Sequence, residues 1–349
     1  MNNIVNYGII GCGEIAVVNA KAISNVKNAR IVHCMDTVPE LAKDLAERYN
    51  ARYTTNLDEL LADKEVHAVV ICTPHHLHAP IAIKAAESGK HIMVEKPIAP
   101  NLRDADRMIE TADKAGVLLG VNFPWRFRFS VQKAGELLRS GITGKILGVK
   151  LHHIAKKPDT YWHQGYTGRA KTDWRTRLAL SGGGYLIMNL IHNIDYMVPL
   201  IGGEPVRIYA EYDTFVTPVE VEDYVAFVMR MSTGVIFTAE GTSTVPGQDS
   251  LGDRIYAEHA QISIMWNQVR VYLTQQYEDI KPGEWVSIKP PAGTVDPVVR
   301  HFQLFTDSIL NKTQPPVSGR EGRKALEIVR GAYLSMKRGA PVTFPVTEE

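Results

Sequence analysis

An apolar run at residues 4–10 leads straight into Gly11-x-Gly13-x-x-Ala16, and few backbone geometries accept that succession. The first glycine permits a tight turn, the second lets backbone approach a pyrophosphate, and the small third residue packs helix on strand. The segment up to about residue 25 reads as a helix whose N-terminus favours an anion. A strand at 29–35 then ends in Asp36, about 20 residues past the glycines, where a carboxylate can accept from ribose hydroxyls. An acid there favours NAD over NADP, because a 2′-phosphate would meet like charge. Asp36 also fits a turn or N-cap before Pro39-Glu40. Gly11, Gly13, Glu14, Ile15, Ala16 and Asp36 are the candidate dinucleotide residues.

The pattern continues with helices at 39–49, 56–62, 80–88 and 102–115, separated by strands at 66–72, 91–94 and 117–122. Such alternation implies a parallel, doubly wound sheet. Ligands of these sheets bind outside the carboxyl ends of the strands. Thr73-Pro74, Glu95-Lys96-Pro97 and Asn122 each follow a strand and should line that crevice. A lysine there has its pKa lowered by desolvation and suits proton transfer near neutrality. The Lys96–Pro97 bond is a candidate cis peptide. His75, His76 and His78 resemble a metal cluster, but they lie on one turn with no acid or cysteine to complete a tetrahedral set. A loop beside the cofactor, with His75 and His78 in contact with it, is the better reading, and no metal is expected.

From residue 123 the pattern changes, so the expected domains are 1–122, a dinucleotide-binding domain, and 123–349, a substrate-binding and oligomerisation domain. Helices at 298–337 are candidates to pack back on the first domain. The aromatic and basic run 123–129 reads as a hinge segment against a cofactor ring, which makes Arg126 a cofactor candidate. A polar, aromatic segment at 156–180 holds Tyr161, Trp174 and Arg175, donors suited to a polyhydroxylated ligand. Gly182-Gly183-Gly184 then opens a predicted helix at 185–200, with its glycines placed for close approach of a ligand or of the first domain. Tyr185, Asn189, His192 and Tyr196 recur there at helical spacing on one face. His192 is a second candidate proton carrier. Seven predicted strands between 205 and 289 suggest a mostly antiparallel sheet with one open face, of the kind that closes in a dimer or tetramer.

The formal net charge of +1 gives no electrostatic case for nucleic acid or an anionic membrane. No apolar run spans a bilayer. Three cysteines inside apolar runs suit a reduced compartment, and a cytoplasmic protein is the expectation.

With the glycine turn, Asp36, Thr73-Pro74, Glu95-Lys96-Pro97, and the triple glycine leading to His192-x-x-Asp195 in this order, the chain resembles the Gfo/Idh/MocA oxidoreductases. The resemblance implies an N-terminal Rossmann domain, a C-terminal open-faced α/β domain, and NAD(P)-linked oxidation or reduction of a sugar, inositol or related polyol. It makes Lys96 and His192 catalytic, with Lys96, Tyr161, Trp174, Arg175, Asn189 and His192 toward substrate. Many members carry an acid, or sometimes an asparagine, four residues before the histidine. Here Met188 stands there, so a lysine–acid–histidine relay is not expected. Two further readings stay open: redox-assisted glycoside cleavage with retained NAD, and non-catalytic ligand sensing.

Overall fold

The computed structural model of the protein describes residues 4–247 and 252–347. The chain forms two compact units. The first comprises Met1–Phe123, Pro158–Gly182 and Val298–Leu326; the second comprises Pro124–Lys157, Gly183–Pro297 and Glu327–Glu349.

The first unit is built on β1 (Val5–Ile10), β2 (Ala29–Met35), β3 (Arg52–Thr54), β4 (Ala68–Ile71), β5 (His91–Glu95) and β6 (Leu119–Asn122). All neighbours are parallel, in the order β3-β2-β1-β4-β5-β6. β1 and β4 are buried along their whole length, as strands covered on both faces must be. Helices Glu14–Ile23, Pro39–Arg48, Leu57–Ala62, His78–Glu87 and Leu102–Ala115 supply the crossovers. The last is capped by the Asn101 side chain on the Asp104 N–H and stopped by Gly116 in the left-handed region. The expected elements are present, with ends shifted by at most two residues. Strand β3 is an addition: three residues long, with Arg52 and Tyr53 exposed, it carries no apolar pattern and exists because its backbone pairs with β2.

Helix Pro297–Asn311 places Phe302 and Phe305 in this core, and the Tyr7 hydroxyl meets Thr306 Oγ1 at 2.8 Å. The start of helix Gly319–Arg338 packs on β6: a Cβ on Gly322 would lie 2.4 Å from Val121 Cγ2. Only glycine allows that approach.

The second unit holds β7 (Ile146–Ile154), β8 (Pro205–Asp213), β9 (Tyr224–Met231), β10 (Ile236–Thr242), β11 (Asp253–Ala257), β12 (Ala260–Ile264), β13 (Val269–Leu273), β14 (Trp285–Ile288) and β15 (Val342–Thr343). Their order is β14-β13-β12-β11-β7-β10-β9-β8-β15. All pairs are antiparallel except β7 with β10, so the sheet is mixed at its centre. Leu151, Phe237, Phe227, Ile208, Ile255 and Val271 are buried on one face. Helices Phe129–Arg139 and Ile191–Ile201 belong to this unit. On the strands, Leu147, Tyr209, Val228, Ile236 and Tyr256 remain exposed.

One predicted element is corrected. The helix expected at 185–200 begins as a π-helical turn, Leu186–Leu190, and becomes α-helical only from Ile191. The turn follows Gly184, where Glu222 takes the leading N–H groups: Oε2 accepts from Gly184 N at 2.7 Å and Oε1 from Leu186 N at 2.9 Å. A π turn inserts about one extra residue. The sequence spacing of four between Met188 and His192 therefore does not carry its α-helical meaning.

Candidate active site

At the carboxyl end of β1, Gly11 adopts φ +84°, and a Cβ there would lie 3.0 Å from the Cys72 backbone. Helix Glu14–Ile23 starts two residues after Cys12 with no side-chain cap. Its leading N–H groups are thus open to an anion. Ala16 is buried against the sheet and Ile15 is exposed. Asp36 Oδ2 accepts from Cys12 N at 2.6 Å, and Oδ1 accepts from Val38 N at 2.9 Å. An ionised carboxylate has about four acceptor positions, so two stay available for ribose hydroxyls. Around Gly13 the nearest atom to a built Cβ is Ala170 Cβ at 3.9 Å, ordinary contact distance. Uncapped helix, glycine turn and Asp36 together fit the adenosine diphosphate part of NAD.

Six residues past Gly13, Asn19 begins a buried polar chain that sequence reasoning missed. Glu95 Oε1 accepts from Asn19 Nδ2 at 2.8 Å and from Asn122 Nδ2 at 2.7 Å. Asn122 Oδ1 lies 3.1 Å from His301 Nδ1. Burial pushes the Glu95 carboxyl up, against the pull of Asn19 and Lys96. Lys96, the next residue, is drawn down to about 8, first by burial and then by the charge of Arg175, while Glu95 opposes both. The peptide Lys96–Pro97 is cis. Asn19 was detectable in principle as an asparagine among the apolar residues of a helix whose other polar members are Glu14 and Lys21, but its partners lie far along the chain. His301 gave no local signal.

Histidines tie the loops around Lys96. His78 is fully buried, with Nδ1 2.8 Å from the Pro97 carbonyl and Nε2 3.0 Å from the Thr73 carbonyl. Burial lowers it to about 4, so it is neutral at physiological pH. His75 Nδ1 donates to the Ser181 carbonyl at 2.7 Å, and its ring lies 4.4 Å from that of Trp174. The Arg175 guanidinium stands 4.7 Å from the Trp174 ring and 5.0 Å from the Tyr161 ring. Tyr161, Trp174 and Arg175 thus form one cluster inside the first unit. The segment that carries them contains short helices at Thr160–His163 and Leu178–Ser181.

Arg126, Asn189 and His192 belong to the second unit. His192 stacks on Trp125, with ring centroids 4.4 Å apart and planes at 15°. Trp125 also meets His153 and Trp266 edge-on, at 5.5 and 5.2 Å. Arg126 makes a two-point ion pair with buried Asp195, at 2.8 and 2.7 Å. Asp253 accepts from Asn193 Nδ2 at 2.7 Å and from the Tyr196 hydroxyl. Gly183 and Gly184 have a structural explanation that the sequence did not offer. A Cβ on Gly183 would overlap the Tyr333 hydroxyl at 2.1 Å, and one on Gly184 would overlap the Glu222 carbonyl at 2.0 Å.

Residues 5–123 match the oxidoreductase family with the NAD-binding Rossmann fold, and residues 131–263 match the C-terminal domain of the same family. The chain belongs to the Gfo/Idh/MocA oxidoreductases. Among relatives of this family, the chain is 25% identical over 347 residues to myo-inositol 2-dehydrogenase of Thermotoga maritima, covering 95% of this chain and 96% of that protein. It is 31% identical over 205 residues to 2,7-anhydro-N-acetylneuraminate hydratase of Mediterraneibacter gnavus. That alignment takes in 58% of this chain and spans half the length of the hydratase. The structure of levoglucosan dehydrogenase in complex with NADH and levoglucosan superposes with a TM-score of 0.88 over 98% of this chain and all of that one, at 22% identity, which establishes the shared fold. The chain therefore carries the NAD-binding Rossmann domain and the C-terminal domain of this family. Among its described residues no helix is long and apolar enough to cross a membrane.

Proposed function

We propose that the protein is an NAD-dependent dehydrogenase, or reductase in the opposite direction, acting on a secondary alcohol of a sugar, inositol or related polyol. The observation that carries this reading is Lys96, an amine lowered to about 8 at the carboxyl end of β5 in a sheet of Rossmann order. The match to myo-inositol 2-dehydrogenase along nearly all of both chains supports the substrate class. Bound NAD supplies the hydride acceptor. Gly11, Gly13, Glu14, Ile15, Ala16, Asp36, Thr73, Pro74, His75, His78, Glu95, Lys96, Asn122 and Arg126 are the residues assigned to the cofactor side.

Neutral Lys96 Nζ takes the hydroxyl proton as the C–H hydride leaves, and its ammonium form returns that proton to the carbonyl oxygen in reduction. His192 is the second proton carrier, held in its ring plane by Trp125. Tyr161, Trp174, Arg175 and Asn189 orient the hydroxyls. The exposed sheet positions Tyr209, Val228 and Ile236 support a homodimer or homotetramer closed through that face. Three free, buried thiols, Cys12, Cys34 and Cys72, suit a reducing cytoplasm.

A polyol and sugar panel, followed at the reduced-nicotinamide absorbance band, tests the activity. Lys96→Ala should lower turnover by roughly 10²- to 10⁴-fold with NADH binding retained. Wild-type turnover in that variant removes the lysine from the chemistry. The hydratase relative favours one second reading, transient oxidation of the sugar with NAD regenerated. Substrate consumption without net NADH would support it.

A further inference from the structure

We propose that residues 165–170 form a latch over the dinucleotide turn, so that NAD arrives and leaves only when this strap lifts. The strap belongs to the first unit, although it lies about 150 residues beyond the glycine turn in sequence. Two ties hold it. At the first, the Glu14 carboxylate, on the opening residue of helix Glu14–Ile23, accepts from Tyr166 N at 2.8 Å, from Thr167 N and from Thr167 Oγ1. At the second, Arg169 donates from Nε to the Cys12 carbonyl at 2.9 Å and from a terminal nitrogen to Asp44 at 2.6 Å.

Both ties end on backbone or side chains that surround the dinucleotide turn. Cys12 is thereby held from two sides, its N–H by Asp36 and its carbonyl by Arg169. Just past the second tie, Ala170 Cβ lies 3.9 Å from where a Cβ on Gly13 would stand, beside the backbone that must approach a pyrophosphate closely. Gly165 and Gly168 flank the first tie, Tyr166-Thr167, at φ +73° and +72°. At Gly165 a Cβ would overlap the Glu14 carboxylate, so the tie itself demands glycine.

The charge arrangement has the form of a releasable closure. Glu14 puts a negative group at the helix end that favours anions, where a pyrophosphate would meet like charge. The strap N–H groups take up that charge, and although burial alone would raise the Glu14 carboxyl, the bonds from Thr167 and Tyr166 hold it below the ordinary value. Tyr166 and Thr167 are exposed, so the bonds compete with water and are individually weak. Weakly held segments of this kind open far more often than the fold as a whole.

Stopped-flow NADH fluorescence on the full-length protein tests the latch without any substrate. Thr167→Val removes one bond at an exposed position, and Arg169→Met removes the second tie. Thr167→Val should accelerate both association and dissociation of NADH, dissociation by about fivefold, and Arg169→Met should speed dissociation at least as much. Wild-type rates in both variants overturn the latch. Faster dissociation with unchanged association in Thr167→Val marks a simple cofactor contact and also overturns it. Wild-type protein that binds no NADH overturns the cofactor reading itself, an outcome distinct from the other two.

Discussion

Lys96 stands between opposed influences, and their balance sets the pH at which it can work. Burial and the Arg175 charge favour the neutral amine, while Glu95 favours the ammonium. Glu95→Gln removes the opposing charge and should shift the inflection of the rate profile to lower pH, measured on kcat/KM for oxidation. A shift to higher pH would show that Glu95 does not act on Lys96 through charge. The motif around Lys96 was readable in the sequence because it follows an apolar run and precedes proline. The Asn19–Glu95–Asn122–His301 chain was not, since its members lie 76, 27 and 179 residues apart along the chain. Tyr161, Trp174 and Arg175 were legible as a group because they sit on one short segment, and they do converge, with the guanidinium over both rings. Arg169 was passed over, since a guanidinium in a polar segment has no local pattern that distinguishes it from a solvated one.

At the scale of elements, the glycines before His192 separate packing from ligand contact. Their Cβ positions are filled by Tyr333 and Glu222 of the same unit. Gly184→Ala must displace backbone at Glu222 and should cost about 2 kcal/mol or more of stability, read as a lower urea midpoint. An unchanged midpoint would mean that the Glu222 contact yields without cost. Alternating strands and helices were legible across β1 to β6 because period and composition both switch at each boundary. The π turn was not legible, because one inserted residue leaves an apolar run such as Leu186-Ile187-Met188 looking the same at either period. β3 escaped for a different reason: pairing with β2, not side-chain pattern, makes it a strand.

At the scale of the molecule, a nine-stranded sheet presents exposed apolar side chains on the strands from β11 to β8, with Tyr209 opposite Val228 on β8 and β9. Val228→Glu combined with Ile236→Glu should convert an oligomer to monomer in light scattering while leaving the fold intact, since neither side chain is buried. An unchanged mass would place the subunit contact elsewhere. The order of motifs along the chain was enough to anticipate the family, whereas the return of 158–182 and 298–326 to the first unit is a long-range event that no local window encodes.

The most direct test of the account is the pH dependence of hydride transfer in single turnovers of wild type and Lys96→Met with an active polyol. The amine lowered to about 8 predicts oxidation that rises with pH and levels above an inflection near that value, and reduction that falls through it. It also predicts that Lys96→Met loses the inflection along with most of the rate. The same inflection, at the same pH, in Lys96→Met would contradict the assignment of proton transfer to this lysine.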